Sequence, residues 1–162
     1  MGRLLRSMFL FVTAFAAESQ AQVASEPPDL GLKDPAVQLS LSALPPIKDD
    51  HVRGAVVSYD KAAKAWWIQL HCHLATDEEA KRFPTELADF TNAMRGIFRR
   101  EFQASPDEAG KYAETVQMYA MEAMSAAKFF GCGETAKALL RKGLDETDRF
   151  SAFLNSVKPK SQ

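Results

Sequence analysis

The chain has 162 residues, 46% of them hydrophobic and 25% charged, with a formal net charge of −1. That length suffices for one sizeable core. A balance so close to neutral excludes the dense positive field that nucleic acid or an anionic membrane demands of a main partner.

Residues 1–21 open with Arg3 and Arg6, continue through an apolar run from Met8 to Ala17, and end with the small residues Ser19 and Ala21 two positions apart. This is the layout of a secretory signal peptide with its cleavage site. The run of about ten apolar residues is short of the about 20 that a membrane-spanning helix needs. Its removal takes away two arginines and one glutamate and leaves a formal net charge of about −2. The expected product is periplasmic or secreted, with no stable membrane insertion after cleavage.

Residues 22–48 hold Pro27, Pro28, Pro35, Pro45 and Pro46, five of the eight prolines. Proline fixes φ and removes a backbone donor, so a proline-rich, extended arm is expected here. Within it Val37, Leu39 and Leu41 alternate with Gln38, Ser40 and Ser42, the period of a short strand. Such a segment packs along its own domain or adds to a partner's sheet edge or groove. On the second reading Val37, Leu39 and Leu41 are partner contacts.

From residue 49 to 158 the texture is helical, and the span reads as one bundle domain. A first helix is expected over about Asp50 to Leu74, with Val52, Val56, Tyr59, Ala63, Trp66 and Leu70 as its apolar stripe. The rival is a β-hairpin over residues 52–74, with Val56-Val57 and Trp66 to Leu74 as strands. The intervening "DKAAKA" is a poor turn and a good helix, which favours the helix.

A second helix starts at "TDEE", where Thr76 and Glu79 form a capping box; Phe83, Leu87, Phe90, Met94, Ile97 and Phe102 are its stripe, and Pro84 should kink or restart it. A third starts at "SPDE", with Ser105 as cap, Pro106 in the first turn and Glu108 reaching back. Its stripe is Tyr112, Val116, Tyr119, Ala123, Ala127 and Phe130, ending at Gly131. A fourth runs from about Glu134 to Val157, with Leu140, Leu144, Thr147, Phe150, Leu154 and Val157 inward and Pro159 as its stop. Short connections make sequential helices antiparallel, so the expected fold is all-α: an up-down-up-down four-helix bundle.

That topology makes a prediction about the only two cysteines. Cys72 closes the first helix and Cys132 lies between the third and fourth, so both fall at one end of the bundle. In an oxidising compartment an even count favours a disulfide, here Cys72 with Cys132. The flanking "HCHL" also suggests metal binding by His71 and His73. Residues two apart on a helix diverge by about 200°, so the two imidazoles would share an ion only on a strand. Met118, Met121 and Met124, spaced by three, form a second candidate site, since thioethers suit Cu(I). Core packing explains the same methionines.

Catalytic signatures are missing. There is no G-x-S-x-G elbow, H-E-x-x-H pair, glycine-rich phosphate loop or E-x-x-H pair in the sequence. A cysteine-dependent enzyme would require Cys72 to be free beside its histidines. No catalytic residue and no cofactor is expected. Trp67 points about 100° away from its neighbour Trp66, which makes it a candidate interface anchor. The sequence therefore reads as an exported helical protein that binds another envelope or exported protein as an accessory, inhibitor, immunity or chaperone-like factor. A periplasmic copper or zinc binder is the alternative.

Overall fold

The structure, a computed structural model, describes residues 34–126 and 131–157. The signal-peptide reading of residues 1–21 lies outside the described residues, as does the part of the arm before Asp34. The described residues form five helices and no strand: α1 (Pro35–Ser42), α2 (Asp50–Cys72), α3 (Asp77–Glu101), α4 (Pro106–Ala126) and α5 (Glu134–Val157). No helix among them is long and apolar enough to cross a membrane.

The strand expected at Val37–Leu41 is a helix instead. Pro35 fits the first helical position, and the Gln38 N–H donates to the Asp34 carbonyl at 3.0 Å. Val37, Ser40 and Leu44 are buried. Their spacings of three and four are helical, and a buried serine concealed that period behind an apparent alternation. Leu44 belongs to the main core, so this part of the arm is neither extended nor separate from the bundle.

The hairpin alternative for residues 52–74 is also overturned, because α2 is unbroken through "DKAAKA". α2 touches each of the other four helices. Its buried residues include Val56, Val57, Tyr59, Ala62, Ala63, Ala65 and Ile68, which surround the axis rather than forming one stripe. Leu70, expected inside, is exposed, and Ile68 takes that place. Such a central helix has no polar face for a periodicity reading to find.

The capping box at α3 forms as read: Thr76 Oγ1 accepts from Glu79 N, and Glu79 reaches back to Thr76 N at 2.8 Å. α3 continues through Pro84. Its buried face is Phe83, Leu87, Phe90, Met94 and Phe98, with Ile97 and Phe102 at the margin. At α4, Ser105 and Glu108 make the same reciprocal pair, with Glu108 accepting from Ser105 N at 2.9 Å. The buried face of α4 is Ala109, Ala113, Val116, Ala120 and Met124, while Tyr112 packs at its edge. Ala127 and Phe130 lie outside the described residues. α5 turns Ala136, Leu140, Gly143, Leu144 and Thr147 inward.

Paired side chains fix the neighbours. Along α2 and α3, Lys48 N donates to Glu101 at 2.9 Å, Tyr59 donates to Thr91 at 2.9 Å, and Trp66 meets Phe83 edge-on at 5.5 Å. Along α3 and α4, Phe98 meets Tyr112 and Gln117 donates to Thr91. Along α2 and α5, Cys72 joins Cys132 and Lys61 reaches Glu146 at 3.3 Å. Tyr59 thus sits where three helices meet, and burial pushes its hydroxyl up to about 12.

Candidate functional site

The end of α2 gathers several of the residues singled out by the sequence. Cys72 and Cys132 form a disulfide with their Cα atoms 5.5 Å apart. Helix α2 stops there because His73 adopts a left-handed conformation, φ 53°, and its N–H donates to Gln69 O at 3.0 Å. This is the C-terminal role usually given to glycine. The Gln69 side chain is buried and accepts from Ala75 N at 2.8 Å, which fixes the short loop into α3.

His71 and His73 do not sit on one helix, as the argument from angular spacing assumed. His71 stacks on Trp67 with ring centroids 3.8 Å apart and planes 18° apart. Its Nδ1 donates to the Trp67 carbonyl at 2.8 Å. His73 lies past the helix end. Trp67 is half-buried, and this stack orients its ring.

The other candidate contacts separate. Val37 is 1% exposed and packs inward, so it is not available to a partner; Leu41 is half-buried and Leu39 is 55% exposed. Of the methionines, Met124 is in the core, while Met118 and Met121 are exposed. The described residues contain no group of three or more His, Cys, Asp and Glu placed to hold a metal ion.

Sequence reasoning missed a charged cluster beneath α1. Lys64, on α2, donates to Asp34 Oδ2 at 2.7 Å. Its Nζ also stands 2.7 Å from Asp60 Oδ2. This second approach is a charge contact without hydrogen-bond alignment, and neither Asp60 oxygen accepts a hydrogen bond among the described residues. Asp60 is fully buried, and that burial raises its carboxyl above the ordinary range against the pull of Lys64. Asp60 and Lys64 are four apart, a spacing that on sequence alone reads as a surface ion pair. Nothing local marks it as internal.

A groove between α3 and α4 was also missed. Arg95, Gly96 and Arg99 line one wall, and Asp107, Gly110, Lys111 and Glu114 the other. Comparison of the chain with protein-family models, curated proteins and solved structures finds no match.

Proposed function

We propose that this chain is an exported protein that acts by binding another protein of the cell envelope or exterior, in an accessory, inhibitory, immunity or chaperone-like role. Two features support export: the charged, apolar and small-residue succession of residues 1–21, and a disulfide, which persists in oxidising compartments. The antiparallel pairings of α2 with α3, α3 with α4 and α2 with α5 support an up-down-up-down run of the four long helices as the scaffold, with the proline-rich segment of residues 22–48 leading into it; among the described residues α4 and α5 do not pack on each other, and α2 lies against α4 instead.

The observation that carries the binding role is the Trp67–His71 stack. It presents a half-buried tryptophan, held in one orientation, five residues before a crosslink. Rigid aromatic rings lose little entropy on contact and are common interface anchors. Leu39 adds an exposed apolar side chain on α1.

The test is capture from a native envelope extract with the oxidised protein as bait, comparing wild type with Trp67→Ala and Leu39→Asp. A partner retained by wild type and reduced about thirtyfold by Trp67→Ala is the expected result, matching a hot-spot loss of about 2 kcal/mol. Equal recovery on all three baits removes both contacts.

A further inference from the structure

Two helix-interior glycines, Gly96 on α3 and Gly110 on α4, line the α3–α4 groove, and packing does not require either. A helix-interior glycine costs about 1 kcal/mol relative to alanine. At Gly143 the reason is plain: an added β-carbon would lie 2.1 Å from the Ala65 β-carbon. At Gly96 the nearest atom to an added β-carbon is Arg100 Nη1 at 3.9 Å, and at Gly110 it is Arg95 Nε, also at 3.9 Å. Both are ordinary contacts with side chains. Neither glycine has a left-handed backbone. What glycine preserves at these positions is room in the groove, where the Arg95 side chain lies over Gly110, and a ligand held by that arginine is a use for the room.

The groove is open to solvent and offers about 750 Å³. That lies within the about 300–1,000 Å³ of small-molecule sites. Its walls bring together three cations, Arg95 and Arg99 from α3 and Lys111 from α4. Arg95 is only loosely engaged: its Nη2 is 3.9 Å from Glu114, and its buried Nε has no hydrogen-bond partner among the described residues. Arg99 and Lys111 make no ion pair among the described residues. Asp107 and Glu114, on the α4 wall, oppose any extended polyanion. The surplus is local, and the two arginines sit one helical turn apart, where planar guanidinium forks suit an oxygen anion.

We propose that this groove binds a small molecule through an oxyanion group, carboxylate or phosphate, gripped by Arg95, Arg99 and Lys111 in the room left beside Gly96 and Gly110. The site is separate from the Trp67 surface and does not depend on the protein-binding role.

Amide spectra of the oxidised full chain, titrated separately with inorganic phosphate and with succinate, test it against sodium chloride at equal ionic strength. Saturable shifts of the Gly96 and Gly110 amides are expected with at least one of the two anions, and whichever binds identifies the oxyanion. Arg95→Gln should weaken that binding about tenfold, the loss expected for one charged hydrogen bond. Gly110→Ala should raise the Tm while weakening binding, a combination that a glycine kept for packing would not give. No saturable shift beyond that seen with sodium chloride, or unchanged binding in Arg95→Gln, overturns the proposal.

Discussion

Gly143 of α5 lies against Ala65 of α2 so closely that a methyl group added to Gly143 would stand 2.1 Å from the Ala65 β-carbon and 2.7 Å from the Lys61 carbonyl oxygen. The second of these atoms is backbone and cannot turn aside. Gly143→Ala should therefore push α5 away from α2 and destabilise the fold by about 3 kcal/mol, the upper part of the overpacking range. Ala65→Gly added to it should recover only part of this loss, because the carbonyl contact remains. Denaturant midpoints of the two variants decide the matter.

The Cys72–Cys132 bond spans 60 residues of sequence. In the chain-entropy model a closure of that length is worth about 4 kcal/mol. Reduction, or Cys72→Ser with Cys132→Ser, should lower the unfolding free energy by up to this amount while the helical circular dichroism below the transition is retained. An unchanged denaturant midpoint would show that the bond does not constrain the unfolded chain.

Glu79 predicts a stability change in acid. The Arg141 guanidinium, hydrogen-bonded to it, and the Thr76 backbone hold its carboxyl down at about 2. A folded-state value below the unfolded one contributes stability that is complete above the unfolded value and is lost as pH falls through the folded value. Glu79→Gln retains a side chain able to reach back in the capping box but removes the charge. The Tm gap between wild type and variant should shrink steadily from pH 5 to pH 2.

Asp60 has the opposite sign. Burial raises its carboxyl, so its cost to the folded state grows as pH rises from the ordinary carboxylate range through the raised value. Asp60→Asn should gain stability relative to wild type over that rise. Lys64→Met should instead strand a buried carboxylate and cost about 3–5 kcal/mol at neutral pH, the loss seen when one partner of a buried pair is removed. Chemical unfolding of both variants at pH 4 and pH 7 separates the two effects.

His73 carries a left-handed backbone at the end of α2 without being glycine. His73→Gly should stabilise the protein by about 0.5–1 kcal/mol, since it relieves a conformation that glycine adopts without a steric penalty. A loss of stability would mean that the histidine side chain contributes more than its backbone strain removes.

The ends of the long helices were legible because they rest on local chemistry: Thr76 with Glu79, and Ser105 with Glu108, satisfy amides within a single turn. The cysteine pairing followed from helix lengths together with an even cysteine count in a chain read as exported. Burial was less legible. On α4 the inward line runs through Ala109, Ala113 and Ala120, whose small side chains carry little weight beside Tyr112 and Tyr119 in any count of apolar periodicity. On α2 the core surrounds the helix, so Ile68 is buried and Leu70 is not. At α1 the buried hydroxyl of Ser40, without a hydrogen-bond partner among the described residues, broke the apolar period and imitated a strand. Of the candidate sites, Trp67 and His71 drew attention through their residue types. The Asp60–Lys64 pair and the α3–α4 groove depend on which helices meet, and that is a property of the assembled bundle.

The crosslink at the tip turns α3 and α4 into a closed ring, with the chain leaving both sides of a single knot of sulfur. Tension applied from outside the ring runs from α2 across that bond into α5 and bypasses the intervening chain. A machine drawing the oxidised protein through a narrow pore would meet a doubled thread at the cysteines, and about 200 Å of contour would stay hidden from the pull until the bond was cut.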